Sequence, residues 1–165
     1  MKTTNFLPLS KSIKWITILA SIMILGGIGM LIYEYMQLQQ PQLLWVVILL
    51  VVVIGATIAI IPRKLTVNKD GIDIHLLAWT IHIPADEIAK IEHYPHGIQS
   101  IRIVGAGGYF GNLGLFTSKE YGKHLSLITD PKDVCVIIRK TKMPIVVSVE
   151  DYKVLDTIAD IQEKV

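Results

Sequence analysis

Charged residues are missing from two long stretches near the N-terminus. Leu43–Ile61, LLWVVILLVVVIGATIAII, has none, and Ile13–Tyr33 has only Lys14, at its edge. As a helix the 19-residue second stretch rises roughly 28 Å, close to the hydrocarbon thickness of a bilayer. A soluble domain has no use for two such runs nine residues apart. Residues 1–62 are therefore expected to be a tail and a two-helix transmembrane hairpin, with spans near 13–33 and 43–61. Residues 63–165 then form a separate unit of about 100 residues, enough for one hydrophobic core and not for two.

Cysteine is almost absent too. Cys135 is the only one, so no intramolecular disulfide is possible, and its VCVII setting marks a small buried hydrophobe. The second unit also lacks a net charge of either sign. Lys2, Lys11 and Lys14 account for three of the 16 cationic residues and Glu34 for one of the 14 acidic ones, leaving 13 of each from Arg63 onward. No basic stripe remains that could neutralise a nucleic-acid backbone. Gly-Lys-Ser/Thr, Gly-x-Ser-x-Gly and His-Glu-x-x-His are missing as well, and so are the signatures of a phosphate loop, a hydrolase elbow and a zinc site. No cofactor, metal or nucleic-acid partner is expected.

The charges that are present set an orientation. Lys2, Lys11 and Lys14 precede or open the first run, Arg63 and Lys64 follow the second, and the intervening EYMQLQQPQ carries no Lys or Arg. By the positive-inside rule both termini face the cytoplasm, and the chain is a multi-pass protein of the inner (plasma) membrane. Trp15, Tyr33, Tyr35 and Trp45 fall near the ends of the runs, where amphipathic rings settle at headgroup depth. A cleaved signal peptide is the competing reading, but the apolar run continues past Gly26–Gly29 and no Ala-x-Ala site is evident. Gly55 and Ala59, four apart, suit close helix packing, either within the hairpin or across a dimer.

From Leu65 the hydrophobic period changes to two, with frequent turn signals. LTV, Asn68-Lys69-Asp70-Gly71 and IDIHLL read as strand, turn and strand. WTIHI, IAKIEHY, QSIRIVG, LGLFT, HLSLIT, VCVIIRK and PIVVSV follow, with a turn or single helical turn at Pro84-Ala85-Asp86-Glu87. The terminal SVEDYKVLDTIADIQEKV reads as an amphipathic helix, with Ser148 as its cap and Tyr152, Leu155, Ile158 and Ala159 on one face. Seven to nine short strands closed by one helix make a small barrel or sandwich.

The run RIVGAGGYFGNLGLFTSKEYGKHLSLITDP, followed by a strand pair, VSVED and a terminal helix, resembles the bacterial pleckstrin-homology-like domain family. The resemblance covers roughly residues 63–165 and is most specific from Arg102 to Thr129. It implies a bent antiparallel barrel of about seven strands plugged by a C-terminal α-helix, behind short N-terminal membrane helices. It implies binding of lipid headgroups or peptide segments, with no shared catalytic residues.

Five glycines between Gly105 and Gly114 interleave with Tyr109 and Phe110. Their spacing fails the nucleotide fingerprint, because Phe110 stands where a third glycine is due and a strand follows rather than a helix. They suit a sharp strand corner. Gly107, Gly108, Tyr109, Phe110, Gly111 and Asn112 are candidate contacts for a partner or the bilayer, if Tyr109 and Phe110 stand exposed on a mobile loop. The basic turn of Arg139, Lys140 and Lys142 is the second candidate, since a cation beside an anionic leaflet contributes about 1 kcal/mol. His75, His82, His93, His96 and His124 are read as ordinary strand and loop histidines, with His75 and His82 able to meet across a strand pair.

The reading that results is a membrane-anchored, non-catalytic binding or scaffolding module held at the cytoplasmic surface. Its partner is a protein segment, reached by strand addition or through the glycine loop, a second copy of the chain, or an anionic lipid headgroup. The alternatives are an accessory subunit of a membrane transport or envelope complex, and an enzyme acting on a membrane-borne substrate. The enzyme reading requires histidines and carboxylates to converge in a cleft.

Overall fold

A computed structural model describes residues 2–155 of the chain. Two long helices lie near the N-terminus, α1 (Lys11–Leu38) and α2 (Pro41–Ala59). Both are long and apolar enough to cross a bilayer. They extend further toward each other than the hydropathy runs suggest, so the connection is Gln39–Gln40 rather than nine residues. Gln39 closes α1 in the left-handed region at φ 52°, its N–H donating to the carbonyl of Tyr35, and Pro41 opens α2 where no helical N–H is required. At the other end, Ser10 Oγ accepts the N–H of Ile13 and caps α1. The helices pack against each other, yet a methyl placed on Gly55 would meet nothing within 4 Å. Gly55 therefore does not bring them together, contrary to the hairpin-packing role expected of it.

The ten strands of the described residues form two sheets. One contains β1 (Lys2–Asn5), β2 (Pro62–Asn68), β3 (Gly71–Leu76) and β4 (Thr80–Pro84), in that spatial order. The other contains β5 (Ile88–Tyr94), β6 (Ser100–Gly107), β7 (Asn112–Ser118), β8 (Gly122–Ile128), β9 (Val134–Arg139) and β10 (Ile145–Val147), ordered β5-β9-β10-β8-β7-β6. A 3-10 turn at Ala85–Glu87 carries the chain from the first sheet to the second.

Alternation in the strands explains the core. Leu65, Val67, Ile72, Ile74 and Ile83 of the first sheet pack with Leu113, Leu127, Ile137, Ile145 and Val147 of the second, all at most 3% exposed. The mainly-β unit behind two apolar helices agrees with the expected fold class. Two details correct it. The sheets do not close into a barrel of about seven strands, and β8–β10 is a parallel pair rather than an antiparallel one.

The tail joins the first sheet. Lys2–Asn5 pairs antiparallel with β2, so the first sheet ends on a strand from before the helices. The chain then leaves that sheet: Leu7 N–H donates to Ser148 O, Glu150 N–H to Asn5 O, and Phe6 faces Val149. A short bridge thus joins the two sheets. Ser148 does not cap the terminal helix as expected. Its buried hydroxyl accepts the N–H of Thr129 at 2.8 Å and meets the Thr129 hydroxyl at 2.9 Å. The helix begins at Lys153, whose N–H donates to Asp151 Oδ1. Ile158 and Ala159 lie outside the described residues.

Candidate binding surfaces

The glycine segment forms the β6–β7 hairpin. Gly105 and Gly114 face each other across it at φ 129° and 127°. A Cβ on Gly105 would stand 2.2 Å from the carbonyl oxygen of Leu113, and one on Gly114 would stand 2.4 Å from that of Val104. Only glycine allows the two backbones this close, which makes the corner structural.

The tip beyond the corner was a candidate contact on the condition that Tyr109 and Phe110 stand exposed on a mobile loop. Instead it is packed on α1. Thr17 Oγ1 accepts the N–H of Phe110 at 3.0 Å, and Ser21 Oγ hydrogen-bonds the Tyr109 hydroxyl at 3.2 Å. Thr17 and Ser21 are four apart and so lie on one helix face. They are the only Ser and Thr between Ile13 and Tyr33, and that spacing was the available signal for the contact. Tyr109 and Phe110 pack edge to face at 4.6 Å and are half-buried, Gly111 is buried, and Gly107 is exposed.

The basic turn is largely compensated. Lys142 Nζ lies 3.0 Å from Glu87 Oε2, and Arg139 reaches Glu87 Oε1 at 3.7 Å while donating twice to the carbonyl of Met143. Asp86, Glu87, Lys140 and Lys142 line one shallow hollow. Three cations against two carboxylates leave a net charge of one, about a third of the pull on an anionic surface that the cations alone suggest.

Among the described residues the larger sheet has two edge strands, β5 and β6, and β6 pairs on one side only, with β7. Ile101, Ile103 and Val104 are 74%, 44% and 67% exposed there, and the register shift between Arg102 and Val104 sets Ile101 and Val104 opposite Thr117 and Leu115, on one face. A cleft of about 840 Å³ opens at the start of this strand, lined among others by Ile98, Ser100, Ile101, Thr117 and Lys119.

A family model described as Bacterial PH domain matches residues 63–158. The chain belongs to this family. The match starts inside β2 and so leaves out β1, the strand that the tail adds. No curated protein and no solved structure matches the chain.

Within this bacterial PH domain the histidines are dispersed. His75 bonds Thr66 and Thr80, and His82 Nδ1 lies 2.6 Å from Asp73 on the same sheet. His75 pairs with Thr80 and His82 with Asp73, so the two rings are diagonal rather than opposed. His93 binds Asp133 at 2.5 Å and stacks on Tyr152, while buried His124 hydrogen-bonds Gly122 O. Cys135 is buried in β9. Among the described residues no three His, Cys, Asp or Glu gather as a metal site.

One polar cluster was not foreseen. Glu92 accepts from Lys90 at 2.6 Å, from Tyr94 at 3.0 Å and from Tyr121. The Lys90 ammonium, then the Tyr121 hydroxyl, hold the Glu92 carboxyl at about 2 against an ordinary 4.5. Burial, and then the same carboxylate, push the Tyr121 phenol up. The cluster ties β5 to the β7–β8 turn below the cleft.

Proposed function

We propose that this bacterial PH domain is a membrane-anchored, non-catalytic binding module that captures an extended protein segment along β6. The carrying observation is the unpaired β6 edge with three exposed aliphatic side chains beside a cleft. Such an edge is a template for another strand: main-chain hydrogen bonds supply affinity, and alternate side chains supply selectivity. The cleft is large enough to take the side chains at one end of the segment.

The two helices serve as the anchor, in the inner membrane, with both termini in the cytoplasm. Lysines and arginines flanking the helices support this, as does their absence between them. The β1–β2 pairing supports it independently, since the tail and the domain share one side only after an even number of crossings. The Gly107–Asn112 tip then couples the domain to α1, whereas Arg139, Lys140 and Lys142 lie at the opposite end of the sheets from that tip, beside Pro84 and Glu87.

A photo-crosslinking side chain at Ile101 or Val104 of the full-length protein in native membranes tests the reading, with Lys132 as the control position. A discrete protein adduct is expected from the two edge positions, absent at Lys132 and suppressed by Ile103→Lys, because an edge lysine opposes strand addition. An adduct of the chain with itself would make the partner a second copy. Equal labelling at all three positions, or none at the edge, overturns it.

A further inference from the structure

The turn between β3 and β4, Leu77-Ala78-Trp79, has no place in the core. Leu77 is 45% and Trp79 49% exposed, although each is a large apolar side chain. Their backbone is tied to the end of α2: Leu77 N–H donates to Ile61 O at 3.0 Å and Ala78 N–H to Ala59 O at 3.2 Å. The turn therefore sits at the depth of the last residue of α2.

A second contact marks the same depth. α2 has 19 residues, and the last 19 residues of α1 begin at Ala20. The helices leave a two-residue connection side by side, so Ala20 and Ala59 are level. Ser21, next to Ala20, holds the Tyr109 hydroxyl. The two loops thus meet the helix pair at one level, and the 19 residues beyond it rise roughly 28 Å, the thickness of a hydrocarbon core. Lys11 and Lys14 lie on the domain side of this level, roughly 10 Å or more above it, as do Arg63 and Lys64.

We propose that Leu77-Ala78-Trp79 is a membrane foot: a turn that enters the boundary between headgroups and acyl chains and seats the domain on the bilayer. The inference rests on the two helices being the anchor. The occupant is lipid, because the surface is apolar, uncharged and level with the helix end, and the indole of Trp79 suits that boundary. With α1, α2 and the turn all engaged, the domain is held in one orientation instead of swinging on a linker.

Tryptophan quenching in reconstituted vesicles tests it with the full chain. Two single-tryptophan variants are needed, W15F/W45F retaining Trp79 and W15F/W79F retaining Trp45. Each is placed in phosphatidylcholine brominated either near the headgroup or near the chain end. Trp79 is expected to lose intensity, more with shallow bromine than with deep, and to emit to the blue of a solvated indole. Trp45 lies inside α2 and reports on the anchor alone. Quenching of Trp45 with none of Trp79, or with Trp79 quenched best by deep bromine, overturns the foot and leaves the anchor standing. Quenching of neither overturns the anchor, and the foot with it.

Discussion

Thr17 on the first helix accepts the backbone N–H of Phe110 at the tip of the β6–β7 hairpin, 3.0 Å away, and its side chain is almost completely enclosed there. This bond and the Ser21–Tyr109 contact join an apolar helix to residues 93 and 88 positions further along the chain. Replacing the hydroxyl by a methyl, Thr17→Val, keeps the shape and leaves the Phe110 N–H unpaired. A cost of about 1 kcal/mol is expected. Hydrogen exchange in detergent or nanodiscs checks it: the Phe110 amide should exchange faster while the core strands keep their protection.

The corner makes a sharper prediction. Gly105→Ala and Gly114→Ala each force a methyl against a carbonyl oxygen at positive φ, and each should cost about 2 kcal/mol or more. Gly107→Ala is the control. Its Cβ would meet only the flexible side chain of Arg102, so stability should change by less than about 0.5 kcal/mol. Denaturant midpoints of the three variants decide between a structural corner and a loop free to rearrange.

The tail is a stability element. Phe6 is 6% exposed in the main core, and Phe6→Ala should cost about 3 kcal/mol. A chain beginning at Arg63 loses β1 and Phe6 together and exposes the edge of β2. It is expected to aggregate or to unfold at a lower denaturant concentration than the full chain, which size-exclusion chromatography and a denaturant titration would show.

Acid should weaken the fold through Glu92. Its carboxyl lies at about 2 in the folded domain against 4.5 when unperturbed, so the unfolded chain takes up the proton first. The stabilisation is complete above about 4.5 and is lost as the pH falls toward 2. Glu92→Gln should be less stable than the parent at neutral pH, with the gap narrowing through that window. Unfolding midpoints measured across it provide the check. A gap independent of pH would assign the cluster a packing role alone.

Much of the architecture is written locally. Two apolar runs, one uncharged and one with Lys14 alone at its edge, determined the paired helices, because a helix that long and apolar has few other uses. Period-two alternation with Asp70-Gly71 and Asp130-Pro131 as punctuation determined the nine strands after them, and the glycines from Gly105 to Gly114 determined a corner. The family resemblance rested on the same residues. Tertiary structure alone decided the remainder, because it depends on pairings between residues distant in sequence. Lys2–Asn5 carries no strand pattern of its own and becomes β1 only by meeting β2 some sixty residues later. Ser148 reads locally as a helix cap, but packing turns its hydroxyl toward Thr129. Glu87 lies more than fifty residues from Arg139 and Lys142, so no local pattern announced that it would compensate them. The open edge is likewise a property of the whole sheet: β6 resembles its neighbours in sequence, and only the strand order leaves its outer side without a partner strand.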